Sequence, residues 1–541
     1  MPGLNVNVKR KGSLGALWVL LAVSTAVFGI NISRYRGFLV PHESVGMALV
    51  YTLAIIGVLT AGVVCVGGWA LDSVSLRPSD HLSHIRPGRF FLAVLLVNLL
   101  MLVAYYPGTG NWDTLFQIRD FFDGTSRARY AEGGNAIITA FLNDHHPVVT
   151  TLIFSSFVQI GKWLHDERLG LFLYSLLQVA LFSYAYTQAL RFCQKRSVRS
   201  GRLAAAFYLF HPFLPYYAIM MLKDSLYSAL FLIYFLHFLE AYRGDGSADA
   251  RGTLALVLLS IAIPLTKKTG VYIIVPSNAI LLLRLARQKR GRLLGVVAAA
   301  LVPLVVHVMV FPMIVYPVFN IFPGGKQEVI ATLLQQSARV GIDHPDAYSE
   351  ADVEVLNRVF RYSAAAELYD DHITDPIKNT YKLQSVKGED LWAYYKLWFR
   401  TGLKHPITYL KATAGTCGGY FSPTTRLDVY RENHYQELTQ APLPLALRGG
   451  INALYDFLMD APGLNLLLYM VVYTWWIPLF GTAMLLKKRG WRALGSLMPV
   501  YVSILTLVVS PCAFRRYALP FVMIAPILLC ETTRGGRAVG G

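Results

Sequence analysis

Stretch after stretch of this chain is apolar for long enough to cross a bilayer, which leaves few folds open to it. Spans of roughly 17–25 mostly apolar residues are read at 16–31, 47–71, 90–106, 169–190, 203–221, 225–241, 252–266, 271–286, 293–316, 464–486, 493–510 and 517–531. Hydrophobic residues make up 55% of the chain and charged residues only 15%, far from the balance of a soluble globular protein. The expected fold is an all-α polytopic membrane protein with about twelve transmembrane helices. The first span follows Lys9, Arg10 and Lys11 and lacks a small-residue cleavage site, so it reads as a retained anchor rather than a signal peptide.

Lys and Arg positions set the orientation, because short cytoplasmic loops retain these residues and exported loops carry fewer. With both termini in the cytoplasm, the inner loops hold Arg77, Arg86 and Arg89, the run Arg191, Lys195, Arg196, Arg199 and Arg202, then Arg243 and Arg251. They also hold Arg284, Arg287, Lys289, Arg290 and Arg292, then Lys487, Lys488, Arg489 and Arg492, and finally Arg534 and Arg537. Much of the net charge of +18 is thereby explained by topology in a cytoplasmic membrane, and nucleic-acid binding is not needed to account for it.

Two segments depart from simple alternation. The run 147–164 is apolar enough to cross, yet crossing would put the Arg191 to Arg202 cluster outside, so it reads as an interfacial or re-entrant helix. Pro147 suits the start of such a helix. The stretch 317–462 is much more polar than its surroundings and long enough for a small outer domain. Ser349-Glu350-Ala351-Asp352 there resembles a capping box, and the insert is expected to be mainly helical. The chain thus divides into two N-terminal spans (1–89), a membrane module (90–316) with an outer loop at 106–168, the outer insert (317–462) and C-terminal spans (463–541). No internal repeat, phosphate-binding Gly loop or metal-type cysteine spacing is present. Cys417 and Cys512 both fall on the outer side, where a disulfide between them is an option.

The chemistry gathers at outer ends of spans. Tyr105-Tyr106-Pro107-Gly108-Thr109-Gly110-Asn111-Trp112-Asp113 ends a span with Pro and Gly and then presents an acid. Asp113 could take a proton from an incoming hydroxyl or amine there, or it could simply cap a helix. Asn143-Asp144-His145-His146 is a second polar knot, suited to capping and a substrate hydrogen bond, and it leaves room for a divalent metal. Lys223, Lys267, Lys268, Arg515 and Arg516 break the charge rule by falling at outer ends. Each could snorkel toward headgroups, but together they suit a phosphate held at the lipid surface. Asp224 beside Lys223 reads as an ion-pair partner or a substrate contact.

The order of these pieces resembles the GT-C superfamily of polyprenyl-phosphate-dependent membrane glycosyltransferases. Asp113 stands in the first large outer loop, His146-Pro147 leads the helix behind it, Lys223-Asp224 opens a later helix, and Arg516-Tyr517-Ala518-Leu519-Pro520 opens a late span. Thr266 to Tyr272 also resembles a basic-Gly-aromatic turn in bacterial multi-pass proteins of that superfamily. The resemblance implies a shared transmembrane module with interfacial helices in its first outer loop. It also implies transfer of a hexose or pentose from a polyprenyl-phosphate donor to an envelope acceptor (glycan, lipid or protein) on the outer face, with inversion. Asp113 would be the general base. Asn111, Trp112, Asn143, Asp144, His146, Lys223, Asp224, Lys267, Lys268, Arg515, Arg516 and Tyr517 would bind substrate, the basic members stabilising the leaving phosphate. No paired Asp-Glu or Asp-x-Asp stands in the loop, which leaves a divalent metal an open option, and no other cofactor is implied. The competing readings are a transporter or flippase of a lipid-linked or anionic solute, which would place charges near midplane, and a scaffold in an envelope-assembly complex.

Overall fold

The computed structural model describes residues 83–123, 126–128, 136–138, 140–244, 250–287, 293–383, 385–422, 424–431 and 445–533. The spans read at 16–31 and 47–71 lie outside the described residues. What is described is almost wholly helical. Helix α1 (Pro87–Ala104) leads to strand β1 (Thr109–Gly110) and helix α2 (Trp112–Asp123). A short hairpin, β2 (Ser126–Ala128) and β3 (Ala136–Ile138), precedes β4 (Leu142–Asn143). Then come α3 (Val148–Trp163), α4 (Glu167–Gln194), α5 (Val198–Phe210), α6 (Phe213–Ala218), β5 (Met220–Met221) and α7 (Lys223–Arg243).

Helices α8 (Ala250–Thr266), α9 (Gly270–Arg287) and α10 (Leu293–Val305) follow. The last continues through a π-helical stretch, Val306–Val315, and is followed by strand β6 (Ile321–Phe322). The polar insert contributes α11 (Gln327–Asp343), α12 (Glu350–Val359), α13 (Gly388–Lys404) and α14 (Pro406–Cys417). Helices α15 (Leu445–Asp460), α16 (Ile477–Arg489), α17 (Met498–Val508) and α18 (Leu519–Thr533) are the last among the described residues.

Among the described residues five helical segments are long and apolar enough to cross a membrane: Pro87–Ala104, Glu167–Gln194, Lys223–Arg243, Leu294–Val318 and Trp491–Val508. Their burial separates centre from rim. The apolar window of α7 is 72% buried and that of the Leu294–Val318 helix only 22%, so the first is packed by protein on most sides and the second presents Val308, Met309, Met313 and Ile314 outward. Helices α4, α8 and α18 surround α7, with Phe182, Tyr186, Phe231, Tyr234 and Phe235 filling the core between them. Helix α3, of 16 residues, reaches only about 24 Å at 1.5 Å per residue, short of the roughly 30 Å hydrocarbon thickness.

Two of the expected continuous spans are broken. The segment 203–221 becomes α5, α6 and β5, because Pro212 has no N–H to give the helix and biases His211 into extended backbone, observed at φ −72 and ψ 113. The segment 464–486 is divided into a 3-10 turn (Leu464–Leu468), extended Tyr469, a π-helical turn (Val472–Trp476) and α16. The segment 493–510 stays helical but opens as a 3-10 helix, Trp491–Leu497, that runs directly into α17.

The insert has its own core, in which Leu334, Val340, Leu356, Val359, Tyr394 and Leu397 meet. The capping box at Ser349 is formed, with Asp352 N–H donating to Ser349 Oγ at 3.3 Å and Ser349 N–H to Asp352 Oδ2 at 3.2 Å. The insert is tied to the C-terminal membrane part where Ile373 bridges Cys512 and Thr374 N–H donates to Pro511 O at 2.9 Å. Cys417 and Cys512 are both buried, and no disulfide joins them.

Both ends of α7 and α18 carry charge. Lys223 and Asp224 open α7, and Arg515-Arg516 precede α18. At the opposite ends, Glu531 of α18 is buried against Arg196 at 3.1 Å, Arg489 at 3.7 Å and Arg243 at the last turn of α7. The 21 residues of α7 separate the two charged knots by roughly 30 Å.

Candidate active site

Two ladders of two residues each build the site at the first of those ends. Strand β1 pairs in parallel with β5, Thr109 opposite Met220 and Gly110 opposite Met221. Because α2 and α7 start just after these strands, the register sets their N-termini side by side. The approach needs Gly108, whose φ is +116 and whose missing Cβ would run into Ser175 Oγ and Ile219 O. Strand β4 likewise pairs in parallel with β6, Leu142 opposite Ile321 and Asn143 opposite Phe322, which carries the Asp144 loop to the root of the insert.

Asp113 lies in the first turn of α2 and Asp224 in the first turn of α7, where the helix dipoles favour negative charge. Lys223 Nζ donates to Asp113 Oδ2 at 2.9 Å and to His146 Nδ1 at 2.8 Å. Arg516 reaches between the two acids, its Nη2 3.2 Å from Asp113 Oδ2 and its Nε 3.5 Å from Asp224 Oδ2. Lys267, in the turn between α8 and α9, pairs with Asp224 Oδ1 at 2.5 Å and lies over the Tyr517 ring at 4.0 Å. Lys268 pairs with Asp144 Oδ2 at 2.7 Å, and Tyr316 donates to the same oxygen. Asp113, Asp144, Asp224, His146, Lys223, Lys267, Lys268, Arg516 and Tyr517 are thus gathered from five separate segments.

Other expected contacts lie beside this knot. Asn111 is buried and caps α2, its Oδ1 accepting from Thr114 N–H at 3.2 Å. Asn143 Oδ1 accepts from His145 N–H at 2.8 Å, bracing the turn before α3. Trp112 is 51% exposed and stacks on Phe116. Arg515 is exposed while its neighbour Arg516 is buried, so the two do not share the knot.

The electrostatics follow from this company. Burial alone would raise the Asp113 carboxyl, but Lys223, Arg516 and then His146 outweigh it and hold the group well below the usual carboxylate range. Burial first, and the Lys223 charge next, push the His146 imidazole well below its ordinary value. Burial likewise pushes His145 down to about 4. The two rings stand edge to face with centroids 4.5 Å apart, His145 turning toward Glu328 at 3.7 Å and His146 toward Lys223. Arg516 Nε, 3.5 Å from Asp224 Oδ2, makes no hydrogen bond among the described residues.

Three participants carry no sequence signal. Tyr316 follows an apolar run, and Glu328 and Lys378 sit in the polar insert, where nothing separates them from solvated residues. Lys378 is nevertheless only 5% exposed and pairs with Glu328 at 3.0 Å and Asp375 at 2.7 Å. A local cue exists only for Gln117, one helical turn from Asp113, which accepts from Thr150 at 2.9 Å and so joins α2 to α3. Among the described residues no three His, Cys, Asp or Glu side chains are grouped to hold a metal ion. The donor set does not suit one either, since Asp113, Asp144 and Asp224 each already face an ammonium or guanidinium.

A family model described as a family of unknown function (DUF6020) matches residues 81–540. No curated protein matches the chain. Among solved structures it is similar to the crystal structure of ArnT from Cupriavidus metallidurans bound to undecaprenyl phosphate. The two are 13% identical with a TM-score of 0.31, over 82% of this chain and 78% of that one, a likeness too slight to carry an argument.

Proposed function

The chain belongs to the family of unknown function DUF6020, and we propose that it is a membrane glycosyltransferase of the GT-C type. It moves a sugar from a polyprenyl-phosphate donor to an envelope acceptor at the outer face of the cytoplasmic membrane. The observation that carries this reading is the clamp on Asp113: an ionised carboxylate held by Lys223 and Arg516 at the polar end of a membrane-length helix, beside Lys267 and Lys268. Cations converging at such a depth suit a lipid-linked phosphate.

In the proposed step the donor phosphate draws Lys223 and Arg516 onto its own charge. Asp113 loses its counter-ions and becomes a better base. The acceptor hydroxyl gives its proton to Asp113 while its oxygen attacks the anomeric carbon. The bond from that carbon to the phosphate oxygen breaks on the opposite face, its electron pair leaving with the phosphate, and the configuration inverts. Lys223, Lys267 and Arg516 then stabilise charge that grows on the leaving group. Asp144, held by Lys268 and Tyr316, borders the site where acceptor or donor would be oriented.

A transporter would call for functional charge near the middle of its spans. Here the charges lie at the first residues of α7 and just before α18, which favours chemistry at an interface. The test is sugar transfer by the purified protein in nanodiscs, offered a panel of polyprenyl-phosphate sugars and envelope acceptor fractions. A glycosylated product with release of polyprenyl phosphate supports the reading; equilibration of the lipid-linked sugar between leaflets with no product would replace it with transport.

A further inference from the structure

The insert presents a surface that its own core does not explain. Helix α13 turns Leu391, Tyr394, Leu397 and Thr401 inward. Its opposite side exposes Trp392 (62%), Phe399 (62%) and Leu403 (71%), and α14 extends the row with Ile407 (63%) and Leu410 (52%). Spacings of seven and four residues set Trp392, Phe399 and Leu403 on one helical stripe. A continuous row of large apolar side chains of this kind marks a contact surface rather than scattered exposure.

Its charges are of one sign. Lys396, Arg400, Lys404 and Lys411 are interleaved with the apolar row, and no Asp or Glu occurs between Trp392 and Lys411. Lys396 Nζ lies 5.3 Å from the Trp392 ring, its stem along the apolar stripe. Asp352 of α12 reaches this face, 2.5 Å from Arg400. Trp, Phe and Leu on a helix flanked by Lys and Arg is the composition of a segment lying in a headgroup layer, where anionic lipid attracts each basic residue.

The surface is also continuous with a membrane span. Helix α14 packs against α17, the end of the candidate span Trp491–Val508. Leu505 (63%) and Val509 (62%) of that end are exposed. Thr332 Oγ1 of α11 donates to Val509 O at 3.1 Å, fixing the insert to the point where the span leaves the bilayer.

We propose that the outward face of α13 and α14 is a membrane-docking surface that seats the insert in the headgroup layer of an anionic phospholipid leaflet beside α17. The occupant is phospholipid, and the inference does not depend on the proposed glycosyl transfer. It is tested on the full chain in nanodiscs of phosphatidylglycerol with brominated acyl chains, reading the tryptophan emission difference between wild type and Trp392→Phe. The Trp392 contribution is expected to be blue-shifted and to lose most of its intensity to the bromines. It is expected to regain intensity and shift red in a Lys396→Glu/Lys404→Glu variant, and to be less quenched in brominated phosphatidylcholine. A red-shifted, unquenched Trp392 in phosphatidylglycerol would overturn the proposal. So would a blue-shifted but unquenched Trp392, which would mean that a second copy or another protein covers the face.

Discussion

Lys223 and Asp113 lie 110 residues apart in the chain and 2.9 Å apart in the fold. The pair is made by backbone register: Gly110 opposite Met221 starts α2 and α7 together, and the carboxylate and the ammonium follow within three residues. Lys223 also reaches His146, so one ammonium couples the first turn of α2, the loop before α3 and the start of α7.

Replacing Lys223 by Met removes the largest charge that holds Asp113 down. The Asp113 carboxyl then rises, because burial, which opposes ionisation, is less fully countered. If the ionised form is the active one, the acid limb of the pH–rate profile moves to higher pH, and kcat/KM at neutral pH falls by about 10²-fold or more as one phosphate contact is lost. An acid limb that stays in place while activity falls would separate the two effects and remove the coupling.

Asn111 caps α2 in this fold. Its replacement by Ala is expected to cost about 1 kcal/mol of stability, read as a lower melting temperature in detergent, whereas Asn111→Asp retains the acceptor and most of the stability. A direct role in substrate binding would instead raise KM in both variants with melting unchanged.

His145 supplies a pH dependence of stability. Folding holds its value at about 4 against an ordinary 6.5, so between those values the unfolded chain binds a proton that the folded chain refuses. Stability therefore rises with pH across that window and is lost as pH falls through it. The His145→Asn variant should show a shallower acid loss of melting temperature; an unchanged slope would assign the loss to other groups.

At the far end of the bundle, Glu531 is 1% exposed against Arg196, Arg243 and Arg489. Changing it to Leu strands buried guanidinium groups and should cost about 3–5 kcal/mol. The expected readout is a strongly lowered melting temperature, with residual folded protein retaining its activity because the site lies at the other end of α7.

The apolar runs of α1, α4, α7, α8 and α9 were legible because each is a local composition signal that ends in charge or Gly. The break at Pro212 was also written locally, but the apolar residues on both sides masked it. The capping box at Ser349 was readable for the same local reason. Asp113, Asp144, Lys223 and Arg516 could each be singled out as polar residues at the end of an apolar run. Their pairing could not, since Thr109-Gly110 and Met220-Met221 are too short and too ordinary to announce a parallel ladder. Glu328 and Lys378 were hidden by their polar neighbours, and only tertiary packing buries them. Asn111 and Asn143 show the converse: both stand in conspicuous motifs, and both have local backbone work to do.

The most direct test of the proposed chemistry is sugar transfer by wild type and Asp113→Asn in nanodiscs, with donor binding measured in parallel. Asn keeps the shape of the side chain and removes the base. Turnover is predicted to fall by about 10²–10⁴-fold with donor binding retained; full turnover in the Asn variant would contradict the assignment of Asp113 as the catalytic base.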